Sequence, residues 1–330
     1  NDTLTLSGAG NNTVTVSDVE SVVGAGGNDN ITLSTILTGG SVSLGGGSDA
    51  LILAAGANVA TVDGVETLTT SGAGDDTITL SSASPFGASV NLGAGADNLT
   101  LAAGGNTMTL TGVESVTGNA GADIITMAAA ISGATLDLAA GIDKLYLADG
   151  GNTVTTSNVE SVTGGSGDDA VTLLTTLTGG TIDLGAGADA LTLADGVNTI
   201  TAFNTVETIT GGIGADTVTF IGAITAGNYN LGAGTDSLVL ALGTNTFTAS
   251  SAVETIVGNA GADTITLDGG VSGNSYDLGA GTDRLNLSGL ADNTLTLNGS
   301  IESLVGDSAA DTITLGSAVS GHTYDLAGGT

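Results

Sequence analysis

Short bursts of alternating apolar and polar residues run through the whole chain, and each follows an aspartate. The reference positions are Asp2, Asp29, Asp49, Asp76, Asp97, Asp123, Asp143, Asp169, Asp189, Asp216, Asp236, Asp263, Asp283 and Asp311. Two residues on stands Val, Ile or Leu in all fourteen copies, and four residues on stands Leu, Met or Phe. The residue between is Thr in ten of them. This in-out-in period of two predicts a short strand with one buried face. Asn12–Val16 predicts a further strand of the same kind. A helical period of 3.6 is absent; Thr126–Ile131 comes nearest to one and lies inside the aspartate register.

The gaps between aspartates alternate, about 20 and about 27 residues, so the unit is a pair 46 to 48 residues long. Repetition at this period is the mark of a solenoid or array. The predicted fold is an all-β, parallel β-solenoid, β-roll-like, of about 14 coils in seven two-coil repeats. Residues 1–330 read as one continuous array, and the chain as a window of a longer one. The long gaps carry an additional Val-Glu-Ser-Val segment, as at Val159–Val162. Irregularities at Ser84-Pro85-Phe86, Phe203-Asn204 and Ala291-Asp292 read as turn variations. Gly stands two residues before the aspartate in every complete copy but Asp311, where Ala309 replaces it. Such a glycine answers to positive φ or close backbone approach.

Composition narrows the chemistry. Hydrophobic residues make up 41%, too many for a disordered polar chain, while aromatics make up only 2%. Net charge is −32, with Lys144 and Arg284 the only basic residues, which excludes nucleic-acid binding and attraction to anionic membranes. There is no Cys, and no apolar run approaches the ~18 residues of a membrane span. No catalytic constellation is visible, so the chain is not read as an enzyme. The single His322 has no repeat equivalent and reads as a surface turn.

Two other residue types keep strict register. Asn12, Asn58, Asn106, Asn152, Asn198, Asn245 and Asn293 precede a second strand, and stacking would align them as left-handed turn residues or an amide ladder. The seven glutamates, Glu20, Glu66, Glu114, Glu160, Glu207, Glu254 and Glu302, share one repeat position. Recurring every second coil, they would lie roughly 9–10 Å apart. They read as corner residues that bond backbone or face solvent, against a lateral contact or a second cation column.

The aspartates carry the chemical argument. Stacked in one column about 5 Å apart, neighbouring charges repel by about 0.8 kcal/mol in water and about 3 kcal/mol at an effective dielectric of 20. Two basic residues cannot neutralise such a column. A hard divalent cation can, because carboxylates and the carbonyls of glycine turns are Ca²⁺ ligands.

Gly164-Gly165-Ser166-Gly167-Asp168-Asp169-Ala170-Val171-Thr172 and Gly211-Gly212-Ile213-Gly214-Ala215-Asp216-Thr217-Val218-Thr219 fit the nonapeptide Gly-Gly-x-Gly-x-Asp-x-U-x at every fixed position. Here the chain resembles the Ca²⁺-binding repeats-in-toxin (RTX) family of secreted bacterial proteins. Other copies are partial: Asp97, Asp189, Asp236 and Asp283 follow Leu-Gly-Ala-Gly, and Asp123 and Asp263 have Asn for the second glycine. The resemblance implies a parallel β-roll, export from a bacterium, and Ca²⁺ held by the aspartates from Asp29 to Asp311 with turn residues such as Gly165, Gly167, Gly212 and Gly214. With one aspartate motif per coil, a single ion column is expected.

The resulting expectation is an extracellular, Ca²⁺-stabilised structural rod of a surface-layer protein, adhesin stalk or cell-surface filament. Self-association, lateral or end to end, and cell-surface glycans are its partner classes, without membrane insertion. Two alternatives are an ice-binding face built on Thr-x-Thr doublets such as Thr217/Thr219, and an accessory export and folding region of a secreted enzyme.

Overall fold

An alternating strand buries its apolar face only against a partner, and in this computed structural model the partner is a second sheet. The structure describes residues 2–8, 10–84, 87–288 and 291–328; Pro85 and Phe86 lie outside them. Among the described residues every regular element is a β-strand, and every pairing between strands is parallel. The chain divides into two compact units, Asn1–Ser166 and Gly167–Thr330. Each is a two-sheet β-solenoid.

In the first unit one coil runs through Val59–Asp63 in the first sheet and Thr67–Thr70 in the second, and the next through Thr77–Leu80 and Ala88–Asn91. Val59 pairs with Thr77 and Thr67 with Ser89, so the chain returns after 18 or 22 residues. The second unit repeats the plan: Thr199–Phe203, Thr217–Ile221 and Ser237–Val239 stack in one sheet, and Thr246–Ser250, Thr264–Asp268 and Arg284–Ser288 in the other. The inward positions are closed to solvent, with Val62, Leu68, Ile78 and Val90 at most 2% exposed, as are Ile200, Val218, Leu238 and Ile256 in the second unit. Each such side chain contributes about 1.5–3 kcal/mol on burial. One or two per strand suffice, which is why so few aromatics are needed.

The phase of the repeat differs from the expected two coils. Asp29 precedes Asn30–Leu33 in the second sheet, whereas the next equivalent residue, Asp76, precedes Thr77–Leu80 in the first. Five strands separate those two starts, so the 47-residue repeat is two and a half coils. The reason is local: the additional segment of each long gap is itself a strand, as at Ser115–Thr117 and Ser161–Thr163. A short gap therefore closes one coil and a long gap one and a half, and the described residues form a few more coils than the fourteen expected.

Both reasons for glycine before the aspartate are met. Gly121, before Asp123, has φ +143°. Gly141, before Asp143, has no such φ, but a Cβ there would collide with the Gly121 carbonyl of the preceding coil. Backbone cannot yield as a flexible side chain can, so Gly141→Ala should lower unfolding free energy by about 2–3 kcal/mol. The urea midpoint measures it; an unchanged midpoint would show that the turn has room.

Candidate functional site

A residue that opens a parallel strand has its N–H directed at the next coil, where something must accept it. Here side chains do so. In the first unit, Asn106 N and its Nδ2 both donate to Asp123 Oδ1 at 2.8 Å, Asp123 N donates to Asp143 Oδ1 at 2.7 Å, and Asp143 N donates to Glu160 Oε2 at 2.8 Å. The same order runs Asn12, Asp29, Asp49, Glu66, and Asn58, Asp76, Asp97, Glu114. In the second unit it runs Asn198, Asp216, Asp236, Glu254, and Asn245, Asp263, Asp283, Glu302. Asp169, Asp189 and Glu207 form another, and Asn293 donates to Asp311. Each complete set is a four-rung ladder of Asn, Asp, Asp and Glu.

The single column of the sequence reading is therefore corrected to two, because consecutive 47-residue repeats open strands of alternate sheets. Asp29, Asp49, Asp123 and Asp143 precede strands of one sheet, and Asp76 and Asp97 strands of the other. Charge does not accumulate without interruption either: Leu37 and Ile131, apolar residues, donate their N–H groups to Asn58 and Asn152 Oδ1 at the head of a ladder. The glutamates bond backbone, as the plainer reading of them held, but same-sheet copies such as Glu20 and Glu114 are five coils apart, not two. The asparagines are neither left-handed nor an amide ladder. Asn58 Nδ2 donates to the carbonyls of Ala54 and Gly56, plugging its own turn, and to Asp76 Oδ1. Fixed offsets of 17 from Asn12 to Asp29, 20 to Asp49 and 17 to Glu66 were the available signal that all three residue types share a column.

The rung aspartates from Asp29 to Asp283 are at most 1% exposed. Oδ1 is fully used, yet Oδ2 of Asp29, Asp49, Asp97, Asp123, Asp143, Asp189, Asp216, Asp236, Asp263 and Asp283 is buried with no hydrogen-bond partner. Burial lifts the carboxyls of Asp97, Asp143, Asp189, Asp236 and Asp283 to about 6, aided by the charges of the neighbouring rungs and opposed by the N–H each accepts. A buried oxygen with this history calls for a proton or a cation. Among the described residues no three acidic or imidazole side chains converge on one point. An ion would thus take a rung oxygen from the side chains and its remaining ligands from turn carbonyls, a donor set that suits Ca²⁺.

The four glycines singled out by the nonapeptide sit in these turns. Gly167 and Gly214 have φ +118° and +140°. A Cβ on Gly165 or Gly212 would lie 2.8 or 2.5 Å from Oδ1 of Asp149 or Asp195. The basic residues stay apart: Arg284 is exposed and its Nε donates to Asn286 Oδ1. His322 is corrected from a surface turn to a half-buried position, its Nδ1 2.8 Å from Tyr324 Oη and its Nε2 3.9 Å from Glu302 Oε1. No helix among the described residues is long and apolar enough to cross a membrane. The chain matches no family model, no curated protein and no solved structure.

Proposed function

We propose that the chain is a Ca²⁺-stabilised structural segment of a secreted bacterial surface protein of RTX type, built to associate with further copies. The buried, unpartnered Oδ2 atoms along both columns carry this reading. Bound Ca²⁺ would supply positive charge to oxygens that otherwise face burial alone. The rungs Asp29 to Asp311 would hold it together with turn residues such as Gly165, Gly167, Gly212 and Gly214, while Oδ1 of each aspartate keeps its bond to the preceding coil. Weak extracellular Ca²⁺ sites work at about 10⁻⁴–10⁻³ M, a range that links folding and assembly to arrival outside the cell. Sedimentation velocity tests the assembly. Particles that grow in ~10 mM Ca²⁺ and not in Mg²⁺ are expected; a species of constant size in chelator and Ca²⁺ would refute self-association.

A second reading, an ice-binding hydroxyl face, gains from one observation. In the second unit the outward column Thr178, Thr199, Thr217, Ser237, Thr255, Ser275, Thr296 and Thr314 carries a hydroxyl in every coil. Thermal hysteresis of the folded protein decides it: faceted ice growth supports the face, and unshaped ice ends this reading.

A further inference from the structure

One inward position recurs once per repeat: Val42, Val90 and Leu136 in the first unit, and Ile182, Tyr229, Tyr276 and Tyr324 in the second. The tyrosines fill it in a constant way. Tyr229 and Tyr276 are buried, and the Oη of all three donates at 3.1 Å to the carbonyl just before the rung glutamate, on Val206, Val253 and Ile301. Tyr229 runs back along its strand over Gly227, where a Cβ would collide with its hydroxyl. Where Val42 and Ile182 stand, Leu37 and Leu177 fold over Gly40 and Gly180 into the corresponding space.

At Leu136 neither solution is present. A cavity of about 240 Å³ opens further back along its strand, lined by Val113, Glu114, Ile131, Ser132 and Ala134 among others. Val113, Glu114, Ile131 and Ala134 are the repeat equivalents of Val206, Glu207, Ile224 and Gly227; Ala134 carries the Cβ that Gly227 lacks, but so does Asn274 beside Tyr276, whose hydroxyl still reaches the Val253 carbonyl. Leu136 pairs with Val116 as Tyr229 pairs with Ile209, so the backbone frame is the same. The molecule thus holds, three times over, the group that fits this space.

We propose that the Leu136 cavity is a binding site for a small free phenol, its ring against Val113, Ile131 and Ala134 and its hydroxyl donating to the Val113 carbonyl. Burial and the Glu207 charge raise the Tyr229 hydroxyl above its ordinary value. A phenol beside Glu114 is held neutral by the same influences and remains a donor.

The probe is 4-methylphenol, the tyrosine side chain itself, titrated against protein carrying methyl-labelled Val, Leu and Ile and followed by NMR. Saturable shifts confined to the methyls around Val113, Ile131 and Leu136 are expected. Toluene, which has no hydroxyl, should bind about tenfold more weakly, the factor that corresponds to about 1.4 kcal/mol. Leu136→Tyr, which places the same group in the cavity covalently, should abolish the shifts; Ala134→Leu fills it from the opposite wall if that variant does not fold. Absence of saturable shifts, equal affinity for toluene, or undiminished binding in a folded cavity-filled variant overturns the proposal.

Discussion

Replacing Asp123 with Ala should destabilise its unit by about 2–4 kcal/mol, whereas Asp123→Asn should stay within about 1 kcal/mol of the parent in chelator. Asp123 Oδ1 accepts both the backbone N–H and the side-chain amide of Asn106, all of them buried. Alanine leaves those donors without an acceptor and adds a void. Asparagine keeps the acceptor and removes a buried charge, and the ladders already use it, since Asn106 Oδ1 accepts the N–H of Ser84. Because stacked coils mostly feel their neighbours, the loss should be local. Hydrogen exchange of the Asn106 amide reads it directly: fast in the Ala variant, protected in the Asn variant. Equal protection in both would mean that the rung bond contributes little. If Ca²⁺ occupies the column, Asp123→Asn should also lose part of the Ca²⁺ response while keeping its fold, which separates the two roles of one carboxylate.

The strands were legible because a period of two is written into five consecutive residues; Asp76–Leu80 needs no distant information to declare an inward Ile78 and Leu80. The phase of the coils was not. Whether Ser115–Thr117 is a loop or a strand depends on its partner Asn98–Thr100, and that pairing exists only after the coil closes. Read as a loop, that segment makes coils look 27 residues long, merges two columns into one and sets the glutamates two coils apart. Spacing alone marks the rung aspartates, but the identity of their partners, an Asn N–H on one side and a Glu carboxylate on the other, depends on the stacking. Tyrosine at positions 229, 276 and 324 gave no signal beyond being apolar and inward, because what it touches lies one coil back, at Val206, Val253 and Ile301.

Calcium should produce the largest effect of any single change in conditions. For sites in the weak extracellular class, ~10 mM Ca²⁺ exceeds Kd by about 10- to 100-fold, worth about 1.4–2.7 kcal/mol per site. Several occupied sites would add a sizeable fraction of a typical domain's stability. Protons compete for the same oxygens, and the sign follows from the raised carboxyls. Asp97, Asp143, Asp189, Asp236 and Asp283 take up a proton near pH 6, above the 3.8 of an ordinary aspartate. A raised carboxyl binds more protons in the folded state between those values. Its contribution is therefore fully present below about pH 4 and is lost as pH rises through about 6. In chelator the protein should gain stability on going from pH 7 to pH 5. In saturating Ca²⁺ that gain should shrink or reverse, because metal binding favours the deprotonated ligand.

The most direct test of the ion columns is thermal unfolding at pH 7, followed by circular dichroism, in chelator, in ~10 mM Mg²⁺ and in ~10 mM Ca²⁺. A Tm raised by about 10 °C or more in Ca²⁺ alone is the predicted result. A Tm identical in all three, together with a clear rise on acidification to pH 5 in chelator, would contradict it and assign the neutralisation of the buried aspartates to protons.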